Sequence, residues 1–539
     1  MIKLGGDESY FVKEFQMTKR LSSLFLPLFL PLLLIAGILF YGRAQAGGPD
    51  ICNAGPPTCD YGSIQAALDD DATVGTTLQL AGEIFFENVE ITRAITLVGA
   101  GTGITVIDGQ VTDTAVLIHS DPTVSIASLT IRNGDATMEG GGVLNEAGQV
   151  TLTDVIVEEN MAPFGAGITN NDVMILDDVT VRNNVADDIV GMVSVCEDCA
   201  GGGIYNQSTM TMTNSTIHGN SAQFGGGMAN AIPGTLSATN IEVYGNSAAD
   251  NPSDPSAGGG IENLGMMTLT NSTVRNNDAP NGAGVSNGGT LTISGSDIYS
   301  NMADTRGGGI HNSLNLTVQT SNIYDNEAGS GGGGGLSSES GDVVVEQTAV
   351  YSNSATGSGG GIIHNVSLGD NSFIITNSTL SGNSTTGSGG GIRNAGIAST
   401  ELNNVTLNNN SSVVGAGQSV SVAGGTLAFK NSIINSSGID CSGTVGSNGY
   451  NIASDSSCGL GGTADLVNAS PQLGSLQDNG GSSLTHALLL GSPAIDSGNG
   501  CPAVDQRGVT RPAGVECDRG AYEFSEASEA IYLPFVIRP

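Results

Sequence analysis

The chain has no tryptophan in 539 residues, and only 4% of it is aromatic. A sugar-stacking groove would therefore rest on Tyr and Phe alone. Cationic residues are almost as scarce: 16 Lys and Arg face 52 Asp and Glu, for a net charge of −36. Beyond residue 46 the only lysine is Lys430. A surface this acidic repels phosphate backbones, which excludes nucleic acid as a partner and disfavours anionic membranes. Long apolar runs are missing too, apart from one near the N-terminus. What is abundant is glycine, 81 residues, together with short runs of Leu, Ile and Val. That mixture separates the chain from a disordered Gly/Ser polymer.

The one apolar run, Leu24–Tyr41, follows Lys19-Arg20 and precedes Ala44-Gln45-Ala46. This is the pattern of an export signal, with cleavage expected after Ala46 and an uncleaved anchor as the alternative. Residues 1–16 are polar and precede a second methionine, so Met17 is the expected start. All eight cysteines follow residue 46 and fall into near neighbours: Cys52/Cys59, Cys196/Cys199, Cys441/Cys458 and Cys501/Cys517. In an exported chain that arithmetic predicts four local disulfides. The Cys196-x-x-Cys199 spacing also suits zinc or redox chemistry, but no second such pair accompanies it.

The glycines recur in a phrase, Gly-[Gly/Ala]-Gly-apolar-x-Asn. It begins at Gly140, Gly165, Gly201, Gly225, Gly258, Gly282, Gly307, Gly359 and Gly389, with degenerate copies at Gly333 and Gly415. A second phrase, apolar-x-x-Asn, falls once per period. It ends on Asn160, Asn184, Asn220, Asn246, Asn277, Asn301, Asn326, Asn353, Asn383 and Asn410. Between the phrases apolar and polar residues alternate, as in Thr290-Leu291-Thr292-Ile293. A period near 25 with short strands and fixed turn residues is the signature of a solenoid. The expected fold is all-β: a single-stranded right-handed parallel β-helix of roughly 13 to 15 coils, with handedness from the crossover rule. Stacked coils would bring the second-phrase asparagines into a ladder. A propeller or sandwich fits less well, because the period is short of 40 and aromatic punctuation is absent. Tyr61–Leu68 reads as a short capping helix, followed by strands near Thr77–Leu80, Ile91–Val98 and Val106–Asp108. Residues 47–139 would hold this cap and the first coils, and 140–430 the repeat.

Ser63–Leu68 (SIQAAL) and Glu87–Gly109 resemble the opening of pectin-lyase-like right-handed β-helix proteins. The paired phrases between 140 and 420 resemble the repeats of polymorphic outer membrane proteins, which implies a surface adhesin. Leu473–Phe524, with DQRGVTRP and CDRGAYEF, is similar to the bacterial choice-of-anchor Q domain, which implies a cell-surface protein with 431–525 as that C-terminal region. The tail 526–539, ending AIYLPFVIRP, is similar to terminal anchoring segments; a last capping strand is the alternative.

By alternation, the residue after the inward Val or Ile of the second phrase points outward. Coil by coil it is Arg182, His218, Tyr244, Arg275, Tyr299, Tyr324 and Tyr351, a stripe expected to contact a glycan or a cell-surface protein. Catalysis is not expected. The paired carboxylates of a hydrolase would come from Asp177/Asp178 or Asp187/Asp188, but the polygalacturonase motifs do not occur as a set and the five histidines are dispersed. No cofactor is implied. Calcium is the one metal to weigh, through Asp250, Asp254, Asp304 and Asp325, without the nine-residue calcium repeat. Asn214, Asn271 and Asn377 head glycosylation sequons that the repeat itself generates. The sequence thus predicts a secreted, monomeric surface stalk or adhesin that meets a membrane only through its terminal segments. A polysaccharide lyase or hydrolase and a passive surface-layer spacer are the alternatives.

Overall fold

The computed structural model describes residues 48–187, 189–190, 193–194, 198–249, 258–367, 371–397, 399–414 and 417–525. The expected export signal, the C-terminal tail, Cys196, Asp188, Asp250 and Asp254 lie outside them. The described chain is a parallel β-solenoid of about 14 turns with almost no helix. Two sheets, of 28 and 14 strands, run its length, and a third of 8 strands runs from Ser221 to Ser412. At the spacing of hydrogen-bonded strands the repeat spans about 65 Å.

Each coil begins on the broad sheet. In the first repeats a ten-residue strand crosses it, as in Gln149–Glu158 and Val173–Arg182; later it divides into five and three residues, as in Thr209–Thr213 and Thr216–His218. The bend comes at a residue held at positive φ: Asn214, Asn240, Asn271, Asn377, Asn404 and Asn431. Asn is the non-glycine residue best suited to that region. Inward residues alternate with outward ones, so Leu291 and Ile293 are fully buried between partly exposed neighbours. One apolar core runs from Ile51 to Cys458.

The second-phrase asparagines close the corner after the broad sheet. From Asn160 to Asn410 every side-chain Nδ2 donates to the Oδ1 of the asparagine one coil on, at 2.9–3.1 Å. The same Oδ1 also accepts a backbone N–H, as Asn326 does from Asn301 at 3.1 Å. The glycine phrase then feeds the 14-stranded sheet. Gly307 has a φ of +64°, and a Cβ on Gly308 would lie 2.3 Å from the Glu327 carbonyl oxygen, so the phrase needs glycine for two different reasons. Its terminal asparagines form a second ladder, Asn145–Asn170–Asn206–Asn230–Asn263–Asn287–Asn312. One register differs from the sequence expectation. In the phrase at Gly359 the ladder position pairs Ser338, His364 and Asn394, so His364, not Asn365, takes the place of the asparagine.

The first end is closed by a helix at Ile64–Leu68, capped by the Ser63 hydroxyl, with Ile64, Ala67 and Leu68 buried. Thr77–Leu80 and Val106–Asp108 are strands. The expected strand 91–98 is instead two, Val89–Ile91 and Ile95–Val98. They belong to different sheets, because the chain turns a corner at Thr92–Ala94.

Past the last coil the chain doubles back over the broad sheet. Its backbone is received by outward corner side chains: Gln347 donates to Asp505 O, Asn377 to Val504 O, Asn404 to Asp518 O and Asn431 to Asn499 O, at 2.9–3.0 Å. Inside this clasp the charges of the two C-terminal motifs satisfy one another. Arg511 meets Glu523 at 3.0 Å with both side chains buried, and Arg507 meets Asp505 at 2.7 Å while lying 3.5 Å from the Tyr522 ring centroid. Disulfides join Cys52–Cys59, Cys441–Cys458 and Cys501–Cys517, as expected.

Candidate functional site

The parallel register of the broad sheet places the seven outward residues on successive rungs: Arg182, His218, Tyr244, Arg275, Tyr299, Tyr324, Tyr351. The column continues below through Arg132 and Glu158, and above through Ser381, Asn408 and Asn435. Its members engage each other. Tyr299 stacks on Tyr324 at 4.7 Å, Tyr324 on Tyr351 at 4.9 Å and His218 on Tyr244 at 4.8 Å, with rings within 10° of parallel. Arg275 lies 4.2 Å from the Tyr244 centroid and bonds Glu242 at 2.6 Å, while Arg182 bonds Glu158 through Nε at 2.7 Å. The rungs are only about 4.8 Å apart, so each ring covers its neighbour's face. A partner meets edges and phenolic oxygens. Burial, reinforced by the Asp297 carboxylate, pushes the Tyr324 phenol up to about 12. Burial also pushes Tyr351 upward, with Tyr324 as the next contributor. Burial, then Arg182, lowers the His218 imidazole.

Above Tyr351 the hairpin Leu473–Gln477/Thr485–Leu488 crosses the column, leaving an open crevice of about 620 Å³ bordered by Ser381, Asn408, Pro471 and His486. His486 Nδ1 faces the Gly474 carbonyl at 2.8 Å and so carries the proton. Its Nε2 then accepts from Ser381 Oγ at 2.9 Å and Asn408 Nδ2 at 3.2 Å.

Among the described residues, no three of the acidic and histidine side chains gather at one point. Asp177 accepts from Thr213 Oγ1 at 2.6 Å and Asn214 Nδ2 at 3.0 Å, whereas Asp178 is exposed at a corner with φ 56°. His119 sits 2.6 Å from Glu90. His311 and His364 are buried, which lowers both imidazoles to about 4. Asp304 and Asp325 belong to no group of three potential ligands among the described residues. Of the sequon asparagines, Asn377 is buried under the C-terminal clasp.

One feature of the fold escaped the sequence reading. The x of the glycine phrase also points outward, forming a column on the 14-stranded sheet: Leu144, Thr169, Tyr205, Ala229, Glu262, Ser286, His311. Most of these are nevertheless buried. A neighbouring column, Phe164–Ala200–Phe224, runs parallel to it, and the Phe164 and Tyr205 rings meet at 5.3 Å. Between the two columns lies a cavity of about 270 Å³ lined by Phe164, Tyr205, Phe224, Ala229, Glu262 and Leu264, with Asp198 among its other residues. Its only sequence signal is an aromatic or acidic residue at x, where the phrase itself sets no requirement.

No protein-family model and no curated protein matches the chain. Among solved structures it is similar to the A-module of the mannuronan C-5 epimerase AlgE6 of Azotobacter vinelandii, at 15% identity over 72% of this chain and 94% of that one, with a TM-score of 0.29. It is also similar to the catalytic unit of a thermostable GH87 alpha-1,3-glucanase from Streptomyces thermodiastaticus, at 11% identity over 72% and 66% of the two chains, with a TM-score of 0.31. The pectate lyase Pel9A matches at 13% identity over 86% of this chain and 90% of its own, with a TM-score of 0.23.

Proposed function

We propose that the protein is an exported, extracellular β-helix stalk with an adhesin-like role, engaging a glycan or a cell-surface protein through its outer faces. The observation that carries this reading is the unbroken outward column on the broad sheet, from Arg132 to Asn435, in which one coil's rings and guanidinium groups brace the next. Such a column makes a stiff rod and displays a line of phenolic edges along it. Local disulfides closing short loops suit an oxidising exterior. Residues 1–46 would supply export, and the C-terminal region with the tail 526–539 the attachment. The acidic surface favours neutral or cationic partners over anionic ones.

The test replaces Tyr299, Tyr324 and Tyr351 together by Ser and compares the secreted chain with the parent on glycan arrays and on cells. Loss of binding with the coils intact supports the adhesin. Unchanged binding overturns the role given to the stripe. Absence of binding by the parent itself would favour the passive spacer, a reading the mutual covering of the ring faces also supports.

A further inference from the structure

We propose that the cavity between the Tyr205 and Phe224 columns is a binding site for an organic cation, an alkylammonium headgroup. It lies on the 14-stranded sheet, away from the tyrosine stripe, and stands independently of the function proposed above.

The register builds it. On one column Tyr205, Ala229 and Glu262 occupy consecutive rungs, so a ring and a carboxyl group stand about 10 Å apart with only a methyl group between them. On the other column Phe164, Ala200 and Phe224 repeat the arrangement: two rings separated by a methyl. The two alanines leave the space and the three rings wall it. A ring face attracts a cation through its quadrupole, and more strongly where water is thinned out.

The polar groups point the same way. Glu262 is 5% exposed and Asp198 stands beside the opening. Among the described residues lining the cavity there is no Lys, Arg or His. Asn230 contributes no free donor, since its amide is engaged by Gly234 O, Asn263 Oδ1 and Met266 O. The cavity thus presents carboxyl groups and rings, which repel a uronate or phosphate and suit a cation. Burial raises the Tyr205 phenol, and Glu139 and Glu262 add to the rise. Two rungs above Glu262 the column reaches His311, which burial keeps neutral. At about 270 Å³ the site admits a headgroup rather than an extended chain.

The experiment is titration calorimetry on the full chain at low ionic strength with choline and with 3,3-dimethyl-1-butanol, its uncharged isostere. Choline is expected to saturate one site, with the alcohol at least about tenfold weaker. Ala229→Leu fills the floor without touching the ladder backbone, and Glu262→Gln and Phe224→Leu remove charge and ring. Each is expected to weaken choline about tenfold or more at an unchanged circular dichroism spectrum. Equal affinity for the alcohol, absence of choline binding, or full binding by Ala229→Leu would each overturn the proposal. The Tyr299/Tyr324/Tyr351 triple Ser variant should bind choline normally, which separates failure here from failure of the stripe.

Discussion

A corner asparagine such as Asn301 makes four hydrogen bonds with one amide. Its Nδ2 donates to Val274 O and Asn326 Oδ1, and its Oδ1 accepts from the backbone and side chain of Asn277. All of this happens at 1% exposure. Asn301→Ala would remove one donor each from the Val274 carbonyl and Asn326 Oδ1, and would take the acceptor from the Asn277 backbone N–H and from one Asn277 amide proton, in a site closed to water. A destabilisation of about 3 kcal/mol or more is expected. Hydrogen exchange would show it as lost protection in the two adjoining coils rather than uniformly, since a solenoid couples nearest neighbours. Asn301→Asp should not rescue, because a carboxylate cannot donate to Val274 O and Asn326. The middle glycine of the other phrase gives a steric counterpart. A methyl at Gly308 meets backbone of the next coil at two points, Glu327 O and Gly334 O, neither of which can rotate away. Gly308→Ala is therefore expected to lower the thermal midpoint, although alanine has the better intrinsic propensity.

At the scale of strands and columns the sequence was most informative where one residue recurs for one reason. The two phrases give away the solenoid because each ladder repeats its chemistry every coil, so a period appears in the letters. The N-terminal helix was legible from its amphipathic spacing. The split of 91–98 into two strands was not, since Thr92-Arg93-Ala94 carries neither Gly nor Pro to mark the corner. His364 hid for the opposite reason: a nearby asparagine completed the pattern one residue late, while the imidazole took over the rung by bonding Thr400 at 2.9 Å. The aromatic–acid cavity depends on which x of one coil faces the preceding loop of another, a juxtaposition no single phrase encodes. The stripe of rings was legible as a position. That ring faces pair with each other, and are withheld from a ligand, follows only from rung spacing. Removing the three tyrosines together should cost about 1–3 kcal/mol from two lost stacks. The C-terminal clasp is likewise held by partners distant in sequence. Cys501–Cys517 closes a loop of 16 residues within it, so replacing both by Ser should cost up to about 3 kcal/mol. The clasp should then loosen first, read as early protease cleavage between 470 and 525 while the coils persist.

For the molecule as a whole, buried titratable groups set opposing dependences on pH. Burial raises the Asp518 carboxyl to about 7 despite two amide donors from Asp496 and Phe524. A raised acid binds its proton more tightly in the folded state. Its contribution is full below the unfolded value near 4 and lost as pH climbs toward 7. Burial likewise raises Asp135, Asp278, Asp325 and Asp440, which act in the same sense. His311 and His364 act the other way. Lowered from 6.5 to about 4, they favour the fold above 6.5 and lose that contribution as pH falls from 6.5 to 4. The two sets of groups compete between pH 4 and 6.5, so the shape of the parent curve says little about either. Variants separate them. His311→Gln with His364→Gln should gain stability relative to the parent steadily as pH drops from 6.5 to 4, and show a constant difference above 6.5. Asp518→Asn should gain on the parent as pH rises from 4 to 7 and hold a constant difference beyond. Thermal midpoints across pH 4 to 9 measure both. If either difference were independent of pH, the group concerned would titrate alike in the folded and unfolded chain, and burial would not govern it.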